Sequence, residues 1–168
     1  MSGWTSPVDS VDPAFGHWLA GYIDGEGSFT THVHQPGNGV TKRMSIATRA
    51  DEYPLLQSCR DQMGLGALYF SRQKSPTQSG SKPTWRWIVS NNADCLKLID
   101  FLSKYPLRSK KKNDFELWAE FVRVHSRRKK IGKGQPPNDP SELIKLAQQL
   151  RSVRSYDGQY EQKSKEKS

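Results

Sequence analysis

Trp18-Leu19-Ala20-Gly21-Tyr22-Ile23-Asp24-Gly25-Glu26-Gly27-Ser28-Phe29 changes periodicity partway along. Its first half reads as a helix. Phe15, Trp18, Leu19 and Tyr22 stand at i, i+3, i+4 and i+7, which is one apolar stripe. Asp12-Pro13 is a helix start, with Asp as cap and Pro at the first helical position. Ala20 and Gly21 have almost no side chain, so a second helix can approach that face closely. The stretch then ends in two carboxylates, Asp24 and Glu26, around Gly25. Gly25 and Gly27 free the backbone at the helix end. A helix thus delivers acidic groups to the foot of a sheet, with Glu26 expected just past the helix beside exposed carbonyls. A carboxylate plus the Gly25 carbonyl suits Mg2+, which prefers oxygen ligands, keeps several waters and adds substrate phosphates.

From Ser28 the period is two. Ser28, Thr30, His32 and His34 alternate with Phe29, Thr31 and Val33, and Pro36-Gly37-Asn38-Gly39 is a turn signal. Arg43, Ser45, Ala47 and Arg49 then alternate with Met44, Ile46 and Thr48. Asp51 marks a second helix with Leu55, Leu56, Cys59 and Met63 on its apolar side. A second hairpin follows, in which Tyr69, Ser71 and Arg86 oppose Leu68, Phe70, Trp85 and Trp87. Both tryptophans fall on the core side and read as packing. Further helices start at Asn92, Asp114 and Pro140-Ser141. This order predicts an α+β fold: a four-stranded antiparallel sheet, helices over one face and extra C-terminal helices. Residues 1–11 are expected to be flexible, 12–154 to form the domain, and 155–168 to be a disordered polar tail, with loops at 73–83 and 127–140.

The 168 residues carry a net charge of +9, which points to a polyanionic partner. No Lys or Arg precedes Lys42, whereas residues 104–133 hold eleven of them against Asp114, Glu116 and Glu120. The acidic turn is therefore kept apart in sequence from the phosphate-binding charge. The polar sheet face collects Ser28, Thr30, His32, His34, Arg43, Ser45, Arg49, Tyr69, Ser71 and Arg86. Short hydroxyls, His, Tyr and Arg suit base edges in a major groove. His32 and His34 share that face, but no third nitrogen or sulfur ligand has metal spacing, so contact with DNA or with water is expected of them. Cys59 and Cys95 belong to no zinc pattern and read as reduced core residues. No apolar run reaches membrane-spanning length and no signal-peptide pattern opens the chain. The sequence assigns neither host nor compartment; an intracellular setting, a bacterial or archaeal cytoplasm or an organelle, is all that is expected.

Leu19-Ala20-Gly21-Tyr22-Ile23-Asp24-Gly25-Glu26-Gly27 closely resembles the signature of the LAGLIDADG homing endonucleases, with Tyr22, Gly25 and Glu26 as departures. The resemblance implies an αββαββα core whose sheet curves into a saddle. It implies an intron-encoded nuclease in which Glu26, Asp24 and a lysine are catalytic, and Glu26 and Gly25 hold Mg2+. Mn2+ would substitute, and Ca2+ would support binding without cleavage. Tyr105-Pro106-Leu107-Arg108-Ser109-Lys110-Lys111-Lys112 resembles the segment that brings one Lys to the cleaved phosphate. Aligning Leu107 makes that residue Lys110, with Lys111 the fallback, and leaves Lys111 and Lys112 to contact phosphate. The family's polar residue near the end of the second strand, often Gln, is missing, and Thr48 or Arg49 stands there instead.

One motif copy implies a homodimer joined through Ala20, Gly21 and Ile23. Such dimers straddle a long, near-palindromic duplex and cut both strands across the minor groove, leaving 3′ overhangs. Two alternatives share the fold: a maturase that binds intron RNA, and a DNA-binding regulator that does not cut. Glu26 together with Lys110 favours the nuclease.

Overall fold

Asp12 accepts a hydrogen bond from the Phe15 amide at 3.1 Å and opens helix α1, Pro13–Glu26. The computed structural model describes residues 9–34, 39–72, 82–128 and 139–155. The expected turn at 36–38, most of the 73–83 loop, the 129–138 part of the basic linker and the 156–168 tail lie outside the described residues. Val11, just ahead of the α1 cap, is buried in the core, so the packed chain begins before residue 12.

After α1 come β1 (Ser28–Val33), β2 (Val40–Arg49), α2 (Tyr53–Met63), β3 (Ala67–Ser71), β4 (Thr84–Val89), α3 (Asn92–Lys104), α4 (Lys111–Arg127) and α5 (Ser141–Arg154). The strands form one antiparallel sheet in the order β1-β2-β4-β3. Phe29, Met44, Ile46, Trp87 and Val89 are fully buried beneath the helices. Each such side chain contributes about 1.5–3 kcal/mol relative to exposure. Trp87 also donates its indole N–H to the Leu65 carbonyl at 2.8 Å. Trp85 packs with Tyr53 and Phe70, at ring distances of 4.5 and 5.3 Å.

Several local expectations shift. α1 is rotated relative to the aromatic stripe: its buried line is Gly16, Leu19, Ala20 and Ile23, while Trp18 is 45% exposed. Gly16 is what sets this phase, because the Tyr105 ring lies where a Cβ would stand, 2.4 Å away. Glu26 is the last helical residue and not the one beyond it. Asp51 does not cap α2. Its carboxylate pairs with Arg49 at 2.6 Å. Asn91 rather than Asn92 caps α3, and α4 begins at Lys111, three residues before Asp114. Lys42, although cationic, takes a core-facing position of β2, and burial lowers its pKa. The two cysteines are free and buried, which pushes the Cys59 thiol to about 11 and the Cys95 thiol to about 12.

Candidate functional site

The acidic turn joins α1 to β1 within one residue, Gly27. A Cβ on Gly27 would lie 2.5 Å from the Ile23 carbonyl oxygen, which already accepts the Gly27 amide at 2.8 Å. Only glycine allows the chain to leave the helix this tightly. Glu26 is thereby held at the very start of the sheet.

Asp24, expected to be catalytic and to support the end of the motif helix, is bonded to the connection between α3 and α4. Its carboxylate accepts the Arg108 and Ser109 amides, both at 2.9 Å, and the Ser109 hydroxyl. Burial alone would raise its pKa. The Ser109 hydroxyl, the two amides and the Lys111 charge outweigh that and hold it below the usual carboxylate value. With its oxygens occupied in this way, Asp24 anchors the α3–α4 connection to the motif helix.

That anchor delivers Lys111. Its ammonium donates to the Gly25 carbonyl at 3.0 Å and to the Ile23 carbonyl at 3.4 Å. α1 has no basic residue in its last turn, so Lys111 supplies the cation that the negative end of the helix favours. Burial lowers the Lys111 pKa, against the pull of Asp24, Glu26 and Asp114. Lys110, which the resemblance favoured, precedes α4 and lines the same cavity as Asp24, Gly25 and Lys111, while the hydrogen bonds to the motif carbonyls come from Lys111. Lys112 pairs with Glu116 at 3.8 Å and lies beside Leu102 and Phe115 in the helix layer.

Among the described residues, Glu26 has no hydrogen-bond or ion-pair partner, so its carboxylate is available to a ligand. It closes one end of a trough of about 450 Å³ on the open face of the sheet. Ser28, Thr30, His32, Arg43, Ser45 and Arg86 line that trough with it. Register explains the grouping, since Ser28 pairs with Ser45, Thr30 with Arg43, and Ala47 with Arg86. The remaining members of the polar face lie outside the trough. Tyr69, 53% exposed, pairs with Arg86, and Ser71 and Arg49 both pair with Thr84 at the far end. His34 accepts or donates to the Thr41 hydroxyl at 2.8 Å and stacks edge-on against His32 at 4.4 Å.

Neither substitute for the missing Gln stands beside Glu26. Thr48 is 8% exposed on the core side, and Arg49 is held by Asp51. On β2 the residues that share the trough with Glu26 are Arg43, Ser45 and Ala47. The dimer face also needs correcting. Ala20 and Ile23 are 5% and 0% exposed within their own chain. Of the three expected residues only Gly21 is open, with no heavy atom within 4 Å of where its Cβ would lie. Asp114 and Arg154, neither of them an expected site residue, line a second cavity together with Asp24, Gly25, Ser109, Lys110 and Lys111.

The donor set fits a hard divalent cation. Glu26 offers an unpartnered carboxylate, and the Gly25 carbonyl has a second lone pair beside the one that Lys111 uses. Among the described residues no three His, Cys, Asp or Glu side chains cluster as a protein-only metal cage. One carboxylate and one carbonyl are what Mg2+ needs when waters and phosphates complete its shell.

The LAGLIDADG endonuclease family model matches residues 19–122. The chain is 27% identical over 126 residues to an uncharacterized 50.9 kDa protein in ND4 intron 1 of Podospora anserina, covering 71% of this chain and 25% of that protein. It is 26% identical over 110 residues to a probable intron-encoded endonuclease, Cox1-I1b, of Schizosaccharomyces pombe, covering 64% of this chain and 27% of that one. The chain therefore spans about a quarter of the length of these curated relatives. Among solved structures it is similar to the LAGLIDADG meganuclease I-AabMI bound to uncleaved DNA, with TM-score 0.65 and 26% identity, covering 83% of this chain and 46% of that one. The archaeal intron-encoded homing endonuclease I-Vdi141I in complex with DNA shares the fold, with TM-score 0.66 and 23% identity, covering 86% of this chain and 89% of that one.

Proposed function

The chain belongs to the LAGLIDADG endonuclease family, and from that premise we propose that it is a Mg2+-dependent, site-specific endonuclease acting on double-stranded DNA as a homodimer. The observation that carries this reading is the free Glu26 carboxylate at the end of a trough lined with hydroxyls, His and Arg. The experiment is incubation of the protein with Mg2+ and a randomised duplex library, followed by sequencing of cut ends. Recurrent, Mg2+-dependent double-strand breaks with 3′ overhangs at one near-palindromic sequence are the expected result. Binding without any break would leave the regulator reading, and selective binding of intron RNA would leave the maturase reading.

Glu26 and the Gly25 carbonyl would hold the ion. Bound there, Mg2+ supplies polarisation of the phosphate and a water activated for attack. The protein's own residues do the rest. Lys111 places a cation beside the turn, where it can follow charge that grows on the phosphate. Asp24 fixes the segment that carries Lys111. The trough residues grip the duplex, with Arg43 and Arg86 able to bond a guanine edge twice.

Binding is expected to weaken steeply with salt as Lys and Arg release counterions from phosphate. Arg43→Ala or Arg86→Ala should relax preference at individual base positions, costing about 1–3 kcal/mol per lost bidentate contact. A uniform affinity loss across all sequences would instead assign these arginines to phosphate.

Dimerisation uses the open side of α1, where His17, Trp18, Gly21 and Gly25 are exposed. A Cβ at Gly21 meets no heavy atom of its own chain within 4 Å, so a change of mass in Gly21→Leu reports a partner helix. Light scattering should give twice the chain mass for the parent and one chain for Gly21→Leu, since overpacking a close contact costs about 1–3 kcal/mol. A monomeric parent that still cuts both strands would overturn the homodimer.

A further inference from the structure

α5 sends its last residue into the neighbourhood of the acidic turn, although 125 residues separate Arg154 from Phe29. The Arg154 guanidinium donates from Nη1 to the Phe29 carbonyl at 3.0 Å and from Nη2 to the Ser28 hydroxyl at 3.1 Å. Its Nε lies 3.9 Å from Asp114, whose side chain is only 16% exposed. β1 is an edge strand, so a carbonyl on its free side needs a donor from elsewhere. Arg154 supplies it at Phe29, three residues after Glu26 and two after Gly27.

On the other side of the same turn Lys111 holds the Gly25 carbonyl. Asp114 stands one helical turn beyond Lys111 on α4 and pairs with Arg154 in the same cavity, which Lys110 and Lys111 also line. The backbone from Gly25 to Phe29, which carries Glu26, is thus gripped at both ends. Neither grip uses Glu26 itself.

We infer that Arg154 is a positioning residue for the cleavage site, holding the start of β1 so that the Glu26 carboxylate stays aligned with Lys111. The inference rests on the endonuclease reading above and extends it to the last helix. With two donors already bonded to β1, Arg154 acts through the turn and not on the phosphate.

The test compares the parent with Arg154→Ala and Arg154→Lys on a duplex selected from a randomised library by binding in Ca2+. Arg154→Ala should lower the single-turnover cleavage rate in Mg2+ by about 10–100-fold, as loss of supporting contacts behind a metal site does. Affinity in Ca2+ and the salt dependence of binding should match the parent. Millimolar guanidinium should restore part of the Arg154→Ala rate and none of a Glu26→Gln rate. Arg154→Lys should fall between, because one ammonium cannot reproduce two directed N–H bonds.

Several results would overturn the inference: a parental rate for Arg154→Ala, no rescue by guanidinium, or a rate loss matched by weaker binding and a shallower salt slope. The last would make Arg154 a phosphate contact. Should Arg154→Ala melt below the assay temperature, Arg154→Lys decides. A slowed rate with an intact melting midpoint supports positioning, and an unchanged rate refutes it. A parent that cuts nothing in Mg2+ removes the endonuclease reading itself, whereas a cutting parent with an equally active Arg154→Ala removes only the role of Arg154.

Discussion

Glu26→Gln is expected to abolish Mg2+-dependent cleavage while leaving DNA binding equal or tighter. The substitution keeps the size of the side chain and its carbonyl oxygen, so the trough keeps its shape. What disappears is the one carboxylate in that trough that no other described residue engages. A metal site that supplies several kcal/mol to the transition state loses about three orders of magnitude in rate or more when its anionic ligand is neutralised. Removing a negative charge beside phosphate also removes repulsion, which is why affinity measured in Ca2+ should hold or rise. Cleavage and binding measured on the same duplex separate these effects. A Glu26→Gln protein that cuts at the parental rate would end the proposed mechanism.

The part of this site that was legible in the sequence is the part set by local periodicity. Alternation alone put Ser28, Thr30, His32, Arg43, Ser45 and Arg86 on one face, and cross-strand register then gathered them into the trough. Helix phase was harder to read. Trp18 and Tyr22 are large and apolar, so they defined the stripe, yet the small residues Gly16 and Ala20 are what the core takes in. Trp18 lies on the surface, stacked on Tyr22 at 5.4 Å, while Tyr22 and Phe15 pack against the edge of the core. Size misled the reading of the interface in the same way, because Ala20 is small and also buried.

The resemblance brought the lysine run to the site, but the individual partners across the chain were not legible. Asp24 reaches Arg108 and Ser109 over a separation of 84 and 85 residues, and Arg154 reaches β1 over 125 and 126. No spacing rule marks such pairs. The carboxylate of a helix end looks the same in sequence whether it binds a metal or ties down a loop. Only the position of the amides that approach it distinguishes the two, and for Asp24 those amides belong to the segment before α4.

Lysine run and helix start together give the second large effect. Lys111→Met should slow cleavage by about 10²–10³-fold, the size of removing one aimed donor from developing charge, with little loss of DNA affinity. Lys110→Met should stay within roughly fivefold of the parent, as an exposed surface charge does. Successive residues on a helix point about 100° apart, so only one of two adjacent lysines can face the motif. α4 begins at Lys111, and that phase sends its ammonium to the Gly25 and Ile23 carbonyls while Lys110 stays outside the helix. Methionine preserves the stem length and apolar packing of lysine in both variants, which leaves the charge as the only difference. Single-turnover rates in Mg2+, with binding in Ca2+ as the control, compare the two directly. The reverse ranking, a slow Lys110→Met and a nearly normal Lys111→Met, would mean that the α3–α4 connection shifts by a residue when DNA binds, and the Asp24 anchor would then have to break. Asp24→Asn tests that consequence: it should slow the parent if the anchor places Lys111, and leave the rate unchanged if the anchor opens on DNA.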